Sequence, residues 1–136
     1  MSIKLEHLPS EYRLNHEYID SQHEVLFNLF QELSEYCNNK EYELEIDLIL
    51  LSLKTYVDTH FRFEEDLMEK SGYSEVEEHK SMHLVLEQQV IDKIDYFESL
   101  SNQEEIEQFT LEMKDFLLNW LIDHIAKTDR KFCRSI

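Results

Sequence analysis

The sequence predicts an all-α protein, an antiparallel up-down-up-down four-helix bundle preceded by an extended N-terminal arm. Three observations carry that prediction. Gly and Pro occur once each in 136 residues, so almost nothing interrupts segments rich in Leu, Glu, Lys and Gln. Apolar residues recur at spacings of three and four along four separate stretches, the mark of amphipathic helices. The connections between those stretches are short, and a few residues cannot carry the chain back across a bundle, so consecutive helices lie antiparallel. One domain over residues 1–136 accommodates all of it.

Residues 1–19 have mixed polarity, the sole proline (Pro9) and no sustained period. They form the arm, with Tyr12 and Tyr18 placed to cover an end of the bundle. The first helix, about 20–37, has Asp20 as its N-cap and a stripe of His23, Leu26, Phe30, Leu33 and Cys37. Asn38-Asn39-Lys40 breaks it. The second helix, about 42–70, carries Ile46, Ile49, Leu53, Val57, His60, Glu64 and Leu67 on one face and stops at Ser71-Gly72. Ser74-x-x-Glu77 has the pattern of a capping box and opens the third helix, about 74–100, with His79, His83, Leu86, Val90, Ile94 and Phe97 inward. Ser101-x-x-Glu104 opens the fourth, about 102–130, whose stripe is Ile106, Phe109, Met113, Leu117, Trp120 and His124.

Composition narrows the partners. Lys and Arg total 13 against 30 Asp and Glu, a formal charge of −17, which opposes binding to nucleic acid or anionic membranes and favours a monomer. A local exception is the basic cluster Lys127, Arg130, Lys131 and Arg134, suited to the negative end of a last helix. Cys37 and Cys133 stand far apart with no Cys-x-x-Cys pattern, and no apolar run resembles a signal peptide or a membrane span. The expectation is a cytoplasmic protein with reduced, packing thiols.

Polar residues on the inward faces point to chemistry. Successive helical residues rotate by roughly 100°, so His60 and Glu64 lie one above the other on the core stripe, with no Lys or Arg there to meet the carboxylate. Burying such a group costs several kcal/mol unless a cation answers it. A lone core histidine is usually a hydrogen-bonded packing residue. Five of the seven histidines, His23, His60, His79, His83 and His124, fall on inward faces, and a core of this size has too few polar partners for five imidazoles. Antiparallel packing places all five at one end of the bundle. His7 and His16, in the arm, read as surface residues, and Glu65, Asp66, Glu77 and Glu78 as solvated acids.

The second inward carboxylate is Asp129, five residues after His124. In a regular α-helix that offset swings its side chain some 140° away, whereas a π-bulge or a loosened final turn brings it back. Asp123 is the local competitor and points off the stripe. Five imidazoles and two carboxylates exceed the needs of one ion and suit two ions sharing both carboxylates. The chain lacks His-Glu-x-x-His and any Glu-x-x-His, which sets aside zinc proteases and ferritin-like oxidases. Nitrogen-rich ligation favours iron, and the spacing also suits manganese.

The sequence resembles the hemerythrin family, in particular its single-domain bacterial members. The matching segments are Ile19-Asp20-Ser21-Gln22-His23, His60-Phe61-Arg62-Phe63-Glu64-Glu65 with Met68, Tyr73 ahead of His79-x-x-x-His83, and Trp120-Leu121-x-x-His124-Ile125-x-x-x-Asp129. It departs in the arm, where Asn15 and His16 replace a glycine and an aliphatic residue. The resemblance implies an oxo- or hydroxo-bridged pair of iron ions, with His79, His83 and His124 on one, His23 and His60 on the other, and Glu64 and Asp129 bridging both. On that ligand set the first iron is six-coordinate and the second has one open place, where dioxygen binds. Leu26, Phe61, Trp120, Leu121 and Ile125 are spaced to line that place. The expected function is reversible dioxygen binding for storage, delivery or scavenging rather than enzymatic turnover. The alternatives are an O₂, redox or iron sensor, for which this chain has no residues left to form an output domain, and a di-iron peroxidase or nitric oxide-handling enzyme. The latter needs a polar group beside the open iron, and the sequence identifies none.

Overall fold

In the computed structural model of the protein, residues 10–12, 14, 16–39 and 45–135 are described. Four long helices, α1 (Glu17–Asn38), α2 (Ile46–Ser71), α3 (Val76–Glu98) and α4 (Gln103–Asn119), form the four-helix bundle. The last continues through a π-helical stretch, Trp120–Asp129, into a short α5 (Arg130–Ser135). Helix α1 packs on α4 and α2, and α2 on α3. There are no strands among the described residues.

The helix starts differ from the sequence expectation. Helix α1 begins at Glu17, and its N-cap is His16, whose ring Nδ1 accepts the Ile19 N–H at 3.2 Å. His16 is therefore a capping residue rather than a free surface group. Asp20, expected as the cap, is buried within the first turn and accepts the Leu14 N–H at 2.8 Å, tying Leu14 to the start of α1. The arm is not wholly extended, because Ser10–Tyr12 forms a 3₁₀ turn and residues 17–19 are helical. Tyr18 is half-exposed, with its ring 4.4 Å from that of Phe63, while Tyr12 packs on the core. The expected path of residues 1–9 and the expected start of the second helix at 42 lie outside the described residues.

Neither expected capping box forms with its serine at the cap. Glu75 flanks α3 without a side-chain cap bond. At α4 the cap moves one residue on, where Asn102 accepts the Glu105 N–H at 2.8 Å. Polar residues crowd both turns, and the geometry of the tight connection, not the sequence pattern, selects which of them caps. At the end of α2, Gly72 does adopt the left-handed conformation (φ 69°) that ends a helix without a Cβ penalty.

The core divides into two clusters. The larger runs through Leu26, Leu33, Leu53, Val57, Phe61, Met113, Leu117, Leu121 and Ile125. The smaller joins Leu14, Ile19, Met68 and Phe132, with Phe63, Leu67, Tyr73, Val76 and Cys133 against it. Along α1 the order is Ile19, His23, Leu26; along α2 it is Phe61, Glu64, Met68; along the last helix it is Ile125, Asp129, Phe132. Each helix thus passes from one apolar cluster to the other through a polar residue, and a polar layer is sealed between two dry ones.

Candidate metal centre

That layer is built from seven side chains. His23 comes from α1, His60 and Glu64 from α2, His79 and His83 from α3, and His124 and Asp129 from the π-helical stretch. All seven are buried, and the most accessible, His124, is only 6% exposed. The π-helix accounts for the last pair. Its i to i−5 bonding, seen where the Arg130 N–H reaches the Ile125 carbonyl, adds a residue per turn and restores Asp129 to the face that holds His124. The two side chains approach to 3.2 Å. Asp123, by contrast, is exposed and pairs with Lys127 at 3.4 Å.

Each carboxylate divides its two oxygens between two groups of histidines. Glu64 Oε1 lies 2.8 Å from His79 Nε2 and 3.2 Å from His83 Nε2, while Oε2 lies 3.2 Å from His60 Nε2. Asp129 Oδ1 lies 2.9 Å from His79 Nε2 and 3.2 Å from His124 Nε2, while Oδ2 lies 3.2 Å from His23 Nε2. One oxygen of each acid therefore belongs with His79, His83 and His124, and the other with His23 and His60. Ligand atoms within each group, carboxylates included, lie within 4.8 Å of one another.

The donor set fits metal ions. The Nε2 atoms of His23, His60, His83 and His124, with Glu64 Oε2 and both Asp129 oxygens, are buried without a hydrogen-bond partner, although nitrogen and oxygen stand at ion-pair distance. Their lone pairs converge on points between them rather than on each other. Buried polar groups are almost always satisfied, and a layer of orphaned imidazole nitrogens and carboxylate oxygens is satisfied together by cations with nitrogen and oxygen preference.

The outer face of the layer includes groups absent from the sequence expectation. Gln22 Oε1 lies 2.5 Å from His60 Nδ1, and Glu65 Oε2 lies 2.7 Å from His83 Nδ1. Glu65 is thus not a solvated acid, since its side chain is 13% exposed. Asp66, Glu77 and Glu78 do face solvent. Tyr56, four residues before His60, stacks on its ring (5.0 Å between centroids, 11° between planes), with its hydroxyl buried and unpartnered. The signals were local: Gln22 immediately precedes His23, Glu65 follows Glu64, and Tyr56 is one helical turn from His60. Which ring each would meet depends on the neighbouring helices. Leu26, Phe61, Trp120, Leu121 and Ile125 are all buried in the larger cluster that forms one wall of the layer.

The electrostatics of the seven side chains follow from crowding. Burial opposes ionisation of Glu64, but His60, His79 and His83 outweigh it and hold the carboxyl well below its usual range. Burial and the Glu64 charge oppose ionisation of Asp129, and His124, His23 and His79 still bring it down. Burial lowers His124. His79, also disfavoured by burial as a cation, sits between both acids and is raised to about 9. A raised folded-state value means that His79 contributes stability fully below its ordinary 6.5 and loses it as pH rises through about 9. The metal-stripped chain is therefore expected to lose thermal stability between those values, as read by its unfolding temperature, while metal-loaded protein, in which a cation replaces that proton, changes little over the same window. Burial pushes the Cys133 thiol up to about 12, with Asp129 and Glu64 adding to the effect, so it stays a protonated packing residue. Cys37 is likewise free.

A four-helix bundle with a sealed layer of five histidines and two shared carboxylates defines a class of helical proteins built to hold cations in the bundle core. The sequence matches the family described as the Hemerythrin HHE cation binding domain over residues 14–134, and the chain belongs to the hemerythrin family. It is 30% identical over 125 residues to a bacteriohemerythrin of Clostridium acetobutylicum, covering 90% of this chain and 94% of that protein. It is 30% identical over 122 residues to hemerythrin subunit alpha of Lingula reevii, covering 90% and 87%. It is 29% identical over 126 residues to a bacteriohemerythrin of Methylococcus capsulatus, covering 90% and 89%.

Proposed function

We propose that this chain is a single hemerythrin-type domain that binds dioxygen reversibly at a non-haem di-iron centre, for storage, delivery or scavenging. His79, His83 and His124 would hold one iron, His23 and His60 the other, and Glu64 and Asp129 would bridge them alongside an oxo or hydroxo group. The observation that carries this reading is the unequal division of histidines about the two acids. With three imidazoles on one side and two on the other, and both carboxylates facing both sides, the side of His23 and His60 would offer a metal one protein ligand fewer. An iron pair bound here in its reduced form would supply two ions that each give an electron to dioxygen and recover it on release, the chemistry that holds dioxygen reversibly.

The chain's own residues then keep water and protons away. Leu26, Phe61, Leu121 and Ile125 are wholly buried and Trp120 nearly so, a wall without ionisable groups. Tyr56 stacks on the His60 ring with a buried hydroxyl, but burial and the nearby Asp129 and Glu64 charges hold its proton far more tightly than usual. It makes a poor acid, which favours binding over peroxidase chemistry. Leu26→Ala and Ile125→Ala are expected to leave iron content intact and to speed autoxidation several-fold, because each opens the wall to water. Autoxidation followed in air by visible absorbance checks this, and unchanged rates in both variants remove these residues from the pocket.

We also read the protein as cytoplasmic and monomeric, in keeping with free thiols and a formal charge of −17. Among the described residues no helix is long and apolar enough to cross a membrane. The test of function is to reduce the iron-loaded protein anaerobically, admit dioxygen, and then remove it while recording the visible spectrum. A band that appears and disappears with dioxygen supports the proposal. A one-way change, or fewer than two irons per chain, overturns it.

A further inference from the structure

We propose that Glu65, clamped by Arg62 at the surface of the bundle, is a positioning residue that orients His83 and makes the three-histidine half of the centre the more electron-rich half. This rests on the di-iron reading above. The geometry is a ladder between α2 and α3. Glu65 Oε2 meets His83 Nδ1 at 2.7 Å. Arg62 donates to Glu65 Oε1 at 3.0 Å through one nitrogen and to Glu87 Oε1 at 2.7 Å through another. Arg62 is 55% exposed, whereas Glu65 and Glu87 are 13% and 17% exposed.

A neutral imidazole carries one N–H. Facing a carboxylate, Nδ1 must be the nitrogen that holds it, which frees the buried, unpartnered Nε2 to donate its lone pair inward. The other half of the layer uses the same device with different charge, because His60 Nδ1 is met by the neutral amide oxygen of Gln22 at 2.5 Å. An anionic acceptor draws the proton further from the ring than an amide does, so His83 becomes the stronger electron donor. Arg62 moderates that pull, since its guanidinium competes for the charge of Glu65. The consequence is a centre whose halves differ in electron density by more than their ligand count, through a pair whose cation is open to solvent.

The test uses iron-loaded protein and potentiometric titration. Glu65→Gln keeps an acceptor but removes the charge, and is expected to retain two irons while favouring the reduced form about tenfold, an upward shift of about 59 mV for one electron. Arg62→Met, which leaves Glu65 unshielded, is expected to shift the potential in the opposite direction. Glu87→Gln removes the same charge from the same ladder without touching His83, and is expected to shift it much less. Shifts of the same sign in Glu65→Gln and Arg62→Met overturn the proposal, as does an equal shift in Glu87→Gln, which marks a general field effect. A second readout does not involve iron redox chemistry. In zinc-loaded protein the His83 Nδ1–H is expected as a slowly exchanging, downfield proton resonance that disappears in Glu65→Ala. Its persistence there overturns the assignment. If the unaltered chain fails to take up an iron pair, the di-iron reading fails, while the His83 resonance in the zinc-loaded protein still decides the role of Glu65.

Discussion

Glu64→Ala is expected to lower iron from two ions per chain to fewer than one and to destabilise the protein by about 3–5 kcal/mol or more. Among the seven side chains only Asp129 faces as many histidines. Glu64 Oε1 faces His79 and His83 and its Oε2 faces His60, so truncation strikes both halves together. Five imidazoles would be left around one acid in a layer without access to water, and the binding energy of the metals, which is also folding energy, would be lost with them. A domain of ordinary stability has about 5–15 kcal/mol in total, so the variant should unfold at a much lower temperature or accumulate poorly. Asp123→Ala, at a carboxylate that is 69% exposed, is the matching control and should keep both irons. Metal analysis with thermal unfolding checks the pair. Two irons in Glu64→Ala would remove Glu64 from the bridge.

Phe61→Ala is expected to cost about 3–5 kcal/mol, the range for an aromatic ring lost from a packed core, and on the order of 10–20 °C in unfolding temperature. The ring is fully buried and lies flat on His83, 3.8 Å between centroids and 3° between planes. It also contacts Trp120 at 5.6 Å and His124 at 6.1 Å. Removing it creates a cavity where the larger cluster meets the polar layer, so water should reach the metals and autoxidation should quicken along with the loss of stability. Phe61→Leu, which keeps most of the volume, should lose much less. A loss below about 1 kcal/mol in Phe61→Ala would mean that neighbours collapse into the space, and the ring would then not be what keeps the layer dry.

Periodicity made much of the bundle legible, because a helix of fixed pitch decides from spacing alone which residues share a face. His60 and Glu64 share one by their offset of four, and His23, His79, His83 and His124 each lie on an apolar stripe. The offset of five between His124 and Asp129 breaks that pitch, and the π-helix at Trp120–Asp129 is the local structure that reconciles it. Helix starts were less legible. The capping roles of His16 and Asn102, and the inward turn of Asp20 onto Leu14, depend on how a few residues outside the helix lie. Many polar residues near each start could cap, and only the path of the chain selects one.

The sequence by itself determined the helical class, the four apolar stripes, and the presence of five histidines and one acid, Glu64, on them, since these follow from spacing within a single helix, whereas the return of Asp129 to that face took the π-helix. Only the tertiary structure decided which oxygen of Glu64 and Asp129 faces which histidines, that Gln22 supports His60 and Glu65 supports His83, and that Tyr56 lies against the His60 ring. Those contacts join groups on different helices or depend on the rotation and rotamer each helix adopts in the bundle. Distances of about 3 Å between such groups are set by packing, which no period along one strand of sequence encodes.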